Sequence, residues 1–217
     1  MNTNYFFALA GNIGVGKTTW TQLLSDRFDW RPYYEKVVEN PYLADFYQDM
    51  KRWSFHSQIF FLTQRFKAHL EIQRMTSTCI QDRTIFEDGD VFAKNLFANE
   101  TMSEKDYQNY KDLYETIIDS LRFPDLIIYL RASTWTLISR IRKRGRDYER
   151  TISTEYLAQL NLAYEDWIKN YAKNNRVLVI DTDDLDIEKE SSRLNEIIKK
   201  IGSYENQMEL FPKISVI

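Results

Sequence analysis

The sequence predicts an α/β fold of three layers, with a parallel sheet of about five strands held between two layers of helix. Three observations carry that prediction. Short apolar runs alternate with long amphipathic stretches along nearly the whole chain. Each run gives way to a polar or helical segment, the mark of strands buried on both faces. Between the first run and the first helical stretch stands a glycine loop, Gly11-Asn12-Ile13-Gly14-Val15-Gly16-Lys17-Thr18-Thr19. Such a fold places that loop at the C-terminal ends of its strands, where ligands bind.

Taken in order, strands are expected at Tyr5–Ala10, around Tyr34–Val38, and at Thr78–Gln81, Leu126–Leu130 and Val177–Ile180. The first helix follows the glycine loop, with Trp20, Leu23, Leu24 and Phe28 as its apolar stripe. Further helices are expected over Leu43–Met75, Ser103–Leu121, Ser133–Lys143, Thr154–Lys173 and Ile187–Ile201. Ser133, Ser153 and Thr154 sit where N-caps belong, ahead of periodic apolar residues. Residues 1–201 form one domain with a lid at about 142–151, and 202–217 form a weakly structured tail.

Bulk properties narrow the function classes. A chain of 217 residues is large enough for one continuous core. Its net charge of −3 gives no reason to expect nucleic-acid polymers or anionic membranes as partners. A single cysteine, Cys79, excludes an intramolecular disulfide, and two histidines without cysteine partners give no zinc spacing. No basic leader precedes the first apolar stretch and no apolar run approaches the ~18 residues of a membrane span. The expectation is a soluble cytoplasmic protein. Aromatic residues crowd the stretch from Tyr33 to Phe66, as in an aromatic-lined pocket or a heavy core.

The glycine loop fits the pattern G-x-x-x-x-G-K-[ST], a phosphate-binding loop. Its glycines let the backbone curl so that successive N–H groups point inward at phosphates, and the helix N-terminus behind adds partial positive charge. Lys17 is placed to reach β/γ-phosphate oxygens and the Thr18 hydroxyl to sit on Mg²⁺. No Asn-Lys-x-Asp guanine reader is present. Charged residues instead stand at nearly every strand end, Glu39, Asp82-Arg83, Asp88 and Arg131 among them, which favours chemistry on a small acceptor over a nucleotide switch.

Four segments then carry a resemblance: Lys36-Val37-Val38-Glu39-Asn40-Pro41-Tyr42-Leu43, Arg52-Trp53-Ser54-Phe55-His56-Ser57-Gln58, Asp82-Arg83-Thr84, and Arg142-Lys143-Arg144-Gly145-Arg146. In this order the chain resembles the deoxyribonucleoside kinase family, on its deoxyadenosine/deoxyguanosine and deoxycytidine side, from residue 5 to about residue 180. The resemblance implies a P-loop kinase fold, ATP and Mg²⁺, and a helix-built homodimer. It assigns Glu39 as the general base that orients a 5′-hydroxyl and accepts its proton, a group too weakly acidic to ionise beforehand. Asp82 is then a metal contact and Arg83 a bridge between phosphate oxygens and Glu39. The family commonly has Glu-Arg-Ser where this chain has Asp-Arg-Thr, and the shorter acid leaves direct metal ligation open.

Gly145 interrupts the densest charge run, Arg140 to Arg150, and frees Arg144 and Arg146 to fold over the transferring phosphoryl group. Arg140 and Arg144 are assigned to ATP, and Glu149 keeps the position that hydrogen-bonds the sugar 3′-hydroxyl. The family's preceding glutamate is Tyr148 here, with no role implied. Gln58, Phe61 and Arg65 are spaced i, i+3, i+7 and share a helix face. By resemblance Gln58 reads a base edge, Tyr47 the 3′-hydroxyl, and Asp88, held ionised by Arg65, an exocyclic amine. Asp88 also fits as the N-cap of a nearby helix.

The function this implies is ATP-dependent phosphorylation of a 2′-deoxyribonucleoside at its 5′-hydroxyl in nucleotide salvage, with deoxyadenosine ahead of deoxyguanosine or deoxycytidine. A thymidylate-type nucleoside monophosphate kinase and an ATP-binding regulatory module are the alternatives. Gln207-Met208-Glu209-Leu210-Phe211 also resembles a peptide that docks on bacterial replication clamps, and it reads equally as a tail packed on its own domain.

Overall fold

In a computed structural model the described residues are 4–187, 189, 191–207 and 214–216. Among them, β1 (Phe6–Ala10), β2 (Arg31–Tyr33), β3 (Cys79–Asp82), β4 (Leu126–Arg131), β5 (Val177–Asp181) and β6 (Ile214–Val216) form one sheet in the order β2-β3-β1-β4-β5-β6. Every neighbouring pair is parallel. The helices are α1 (Lys17–Phe28), α2 (Leu43–Gln48), α3 (Met50–Ile72), the single turn α4 (Ile85–Glu87), α5 (Lys94–Ala98), α6 (Glu104–Ile118), α7 (Thr134–Arg144), α8 (Thr154–Tyr171) and α9 (Ser192–Gln207). None of the described helices is long and apolar enough to cross a membrane.

Strand residues alternate between two cores, which is why their sequences read as continuous apolar runs. Ala8, Ala10, Ile127, Tyr129, Val177 and Val179 face one side, where α3, α6 and α8 supply Leu62, Tyr110, Leu160 and Tyr164. Phe7, Leu9, Ile80, Leu126, Ile128, Leu178 and Ile180 face the other, where α1, α7 and α9 supply Trp20, Leu24, Leu137 and Ile197. Phe7 and Leu9 are wholly buried, each worth ~1.5–3 kcal/mol of transfer free energy. β1 stands between β3 and β4: the chain runs from it outward to β2 at the edge and, after β3, crosses back past it to β4, so the strand order diverges there. That divergence opens a crevice at the C-terminal strand ends, just where the glycine loop emerges.

Four expectations are corrected. The second strand comes earlier than its apolar residues suggest: Arg31, Pro32 and Tyr33 pair with Cys79, Ile80 and Gln81, and a 3₁₀ turn occupies Val37–Glu39. The long aromatic helix is two helices, broken at Asp49, whose carboxylate caps α3 by accepting from Arg52 N at 3.1 Å. A further helical stretch, Ile85–Ala98, follows β3. The tail, expected to be weakly structured from residue 202, carries the end of α9 to Gln207 and a sixth strand, β6, beside β5. The clamp-like peptide, from Met208 to Phe211, lies outside the described residues.

Candidate active site

The phosphate loop is built by backbone geometry that side chains would block. Gly11 has φ +145, and a Cβ there would meet the Leu130 carbonyl oxygen at 2.6 Å. Gly16, the N-cap of α1, sits at φ 104 in the left-handed region. Lys17 Nζ donates to the Gly11 and Asn12 carbonyls at 2.8 and 3.1 Å. Burial and the nearby Arg83 lower its pKa to about 8. Thr18 Oγ1 donates to Asp82 Oδ2 at 2.6 Å. Asn12 is buried and turned toward α8, its amide donating to Leu157 O and Asn161 Oδ1, and its own oxygen accepts the Ile13 N–H.

Arg83, directly after β3, has φ 65, a left-handed conformation that costs a non-glycine residue ~1–2 kcal/mol. Its guanidinium explains what holds it there. Nη2 donates to the Gly11 carbonyl at 3.2 Å, Nη1 lies 3.6 Å from Glu35, and the cation stands 4.4 Å from the centroid of the Phe92 ring. Glu35 also accepts from Arg65 Nη2. Burial by itself pushes the Glu35 carboxyl up, yet Arg83 and Arg65 outweigh it and hold the group below its ordinary value.

The structure therefore overturns the assignment of Glu39. Its side chain is 58% exposed and makes a surface pair with Lys36 at 3.4 Å, a contact of little energetic consequence. Glu35 is 11% exposed and occupies the place between the arginines. The cause is the early end of β2: three residues and a 3₁₀ turn carry Glu39 away from the crevice.

A cleft of about 260 Å³ runs from Lys17, Thr18 and Thr19 past Glu35, Asp82 and Arg83 to Tyr47, Gln58, Phe61, Arg65, Asp88 and Phe92, with Arg144, Arg146 and Glu149 above it. Apart from Glu39, the acceptor-side residues predicted from sequence thus come together. Arg65 Nη1 donates to both Asp88 oxygens at 2.6 and 2.7 Å. Burial works against the Arg65 charge, but Asp88 and Glu35 prevail and hold it more firmly protonated. Burial raises the Asp88 carboxyl to about 7 against the pull of Arg65. Asp88 is not the helix N-cap: Thr84 is, in a capping box with Glu87. A π-helical turn, Asp88–Ala93, separates α4 from α5, and its wider pitch sets Asp88 and Phe92 on one face toward the cleft.

The lid forms where Gly145, at φ 71, ends α7. Arg144 Nε and Nη2 donate to Glu149 at 3.0 and 2.7 Å, and Arg146 Nη1 reaches the same carboxylate at 3.5 Å. Arg140 stands apart from the cleft lining, its Nη1 on the Val15 carbonyl and Thr182 Oγ1 at 3.1 and 3.0 Å.

Among the described residues no three His, Cys, Asp or Glu side chains cluster as a metal cage. Mg²⁺ does not need one, since it usually takes one or two protein oxygens beside phosphates and water. Asp82 Oδ1 is buried with no hydrogen-bond partner, beside the Thr18 hydroxyl, a donor set that fits the ion. Burial raises the Asp82 carboxyl, with Lys17 pulling the other way.

Sequence reasoning missed Glu35, Phe92 and Glu87. Glu35 carried a signal: it is an acid inside the second strand-like segment, one residue before the motif that carries the resemblance. Phe92 was legible only with the π-turn known. Glu87 is wholly buried and accepts from Gly11 N at 3.3 Å, Thr84 N at 2.9 Å and Tyr164 OH at 2.7 Å, so it fastens the loop's first residue to α4 and α8.

Comparison with known proteins gives concordant results. The family model described as deoxynucleoside kinase matches residues 7–204. A deoxyadenosine/deoxycytidine kinase of Bacillus subtilis (strain 168) is 37% identical over 94% of this chain and 95% of its own. A deoxyguanosine kinase of the same organism is 38% identical over 86% of this chain and 90% of its own. Among solved structures, a deoxyadenosine kinase from M. mycoides with bound dATP aligns with a TM-score of 0.81 and 34% identity, covering 92% of this chain and 100% of that one.

Proposed function

The chain belongs to the deoxynucleoside kinase family, and from that premise we propose that its preferred acceptor is the 5′-hydroxyl of deoxyadenosine, ahead of deoxyguanosine and deoxycytidine. It is a phosphotransferase that phosphorylates deoxynucleosides from ATP. One observation carries the choice of acceptor: the buried Arg65–Asp88 pair, which lines the same cleft as Gln58. An ionised carboxylate only accepts hydrogen bonds, so it suits the amino group of adenine or cytosine and faces the O4 of thymine acceptor against acceptor. Relatives named for deoxyadenosine in Bacillus subtilis and Dictyostelium discoideum support the reading.

In this reading Glu35, charged at neutral pH, orients the 5′-hydroxyl and accepts its proton as transfer proceeds. Arg83 holds Glu35 in place and shares the phosphoryl charge. Lys17 turns from the Gly11 and Asn12 carbonyls to the phosphates. Tyr47 and Glu149 take the 3′-hydroxyl, and burial keeps the Tyr47 phenol protonated as a donor. Thr18 and Asp82 would hold Mg²⁺, which when bound neutralises charge on the transferring phosphates. Arg140, anchored beside the loop, lies on the ATP side. Resemblance supports a homodimer and a cytoplasmic location.

Two expected results test this. Offered ATP with each common deoxynucleoside and deoxynucleoside monophosphate, the enzyme should give its highest kcat/KM with deoxyadenosine and a poor value with thymidine. Fastest turnover of a monophosphate would overturn the assignment. The discrimination should also depend on pH, because Asp88 has its raised pKa of about 7 from burial. Its charge is complete above that value and lost as pH falls through it, whereupon the carboxyl gains a donor and can pair with O4. The deoxyadenosine-to-thymidine ratio of kcat/KM should therefore drop between about pH 8.5 and 6. A flat ratio takes the Asp88 charge out of base selection.

A further inference from the structure

Tyr148 shares the 3₁₀ turn Asp147–Glu149 with the lid carboxylate that holds Arg144 and Arg146. Its ring lies parallel to that of Tyr47, 6° apart in plane and 6.3 Å between centroids. Three residues on, Thr151 Oγ1 donates to the Tyr47 carbonyl at 3.2 Å. The ring contact and this hydrogen bond, both from the lid, converge on one residue of α2. Tyr47 lines the acceptor cleft, and Tyr148 does not, so the lid ring backs the pocket wall from outside. Leu43 and Phe46 bury α2 against the core, so Tyr47 stands on a fixed platform. The Tyr148 hydroxyl is buried with no hydrogen-bond partner, which leaves the ring face as its working surface.

We infer that Tyr148 is a positioning residue that couples the nucleoside pocket to the phosphate lid through its stack on Tyr47. The inference rests on the acceptor reading above and adds a path to it. A nucleoside that fixes the Tyr47 ring fixes the Tyr148 ring behind it, and with it the adjacent Glu149 and the arginines that Glu149 orients. Binding of the acceptor thereby favours the lid position over the triphosphate, and by linkage ATP favours the acceptor by the same factor. Parallel rings at this separation are a recognised attractive arrangement.

The test measures binding of a non-hydrolysable ATP analogue with and without saturating deoxyadenosine, together with kcat and KM, in wild type, Tyr148→Phe, Tyr148→Leu and Tyr148→Ala. In wild type, deoxyadenosine should tighten the analogue about five- to tenfold. Tyr148→Phe should retain that factor, whereas Tyr148→Leu, which keeps bulk and fold, and Tyr148→Ala should reduce it to the part carried by the direct Glu149 contact, and lower kcat. Their affinity for the analogue alone should stay at the wild-type value. Coupling unchanged in Tyr148→Leu, coupling absent in wild type, or coupling lost in Tyr148→Phe would each overturn the inference while wild-type turnover of deoxyadenosine still stood. Absence of that turnover would instead overturn the acceptor assignment, and this inference with it.

Discussion

Glu35→Gln should lower kcat by ~10²–10⁴ while ATP and nucleoside affinities change little, the usual effect of removing a positioned proton acceptor. The amide keeps the shape of the carboxylate, can still accept from Arg65 and still lies beside Arg83, so the hydroxyl remains close. It cannot take the proton. The substitution also removes one anion from a buried cluster, but Arg65 keeps both Asp88 bonds and Arg83 keeps Glu87 at 4.0 Å. A thermal melt run beside the kinetics separates lost chemistry from lost fold. Glu39→Gln is the paired measurement, and that exposed residue should leave turnover at the wild-type level. Turnover of Glu35→Gln within about threefold of wild type would remove Glu35 from the mechanism.

Arg144→Ala should reduce kcat by ~10²–10³, more than it changes KM for the nucleoside. Before transfer its guanidinium is held by Glu149 through three contacts, between 2.7 and 3.0 Å. Phosphoryl charge spreads over the equatorial oxygens only as transfer proceeds, so a lid arginine contributes most in the transition state. Its loss leaves Glu149, 4% exposed, with Arg146 as its remaining cation at 3.5 Å. That accounts for a modest rise in nucleoside KM beside the larger fall in kcat. Steady-state kinetics against both substrates decide the matter: an effect confined to KM for ATP would make Arg144 a ground-state binder and end the lid account.

Much of this site was legible because its parts are local. The glycine loop, Asp82-Arg83 and the Gly145 break each announce themselves within a few residues, and Gln58, Phe61 and Arg65 follow from helical spacing alone. Glu35 was not legible in that way. An acid belongs in a buried position only when cations from elsewhere compensate it, and here those cations come from α3 and from the residue after β3. The three-residue β2 carries too little pattern to fix where its strand stops, and a shift of a few residues exchanges one glutamate for another. The break at Asp49 was hidden for a different reason. No glycine or proline marks it, and an aspartate followed by Met50, Lys51 and Arg52 reads as ordinary helix until its carboxylate is seen capping. Strand β6 depends on pairing with β5, a long-range contact no short segment encodes.

The Glu87 carboxylate has a consequence for how the molecule opens. It completes the N-terminal cap of α4 through Thr84 and at the same time receives the N–H of Gly11, 76 residues away. Neither amide can be released to water by a private fluctuation, because breaking one bond disturbs the shared acceptor and, with it, the Tyr164 hydroxyl. The root of the phosphate loop and the start of the helix that presents Asp88 therefore belong to one cooperative unit in the native state, protected from exchange together and lost together. The donor and acceptor ends of the enzyme share a fastening, so a destabilising change at either end reaches the other before the domain unfolds.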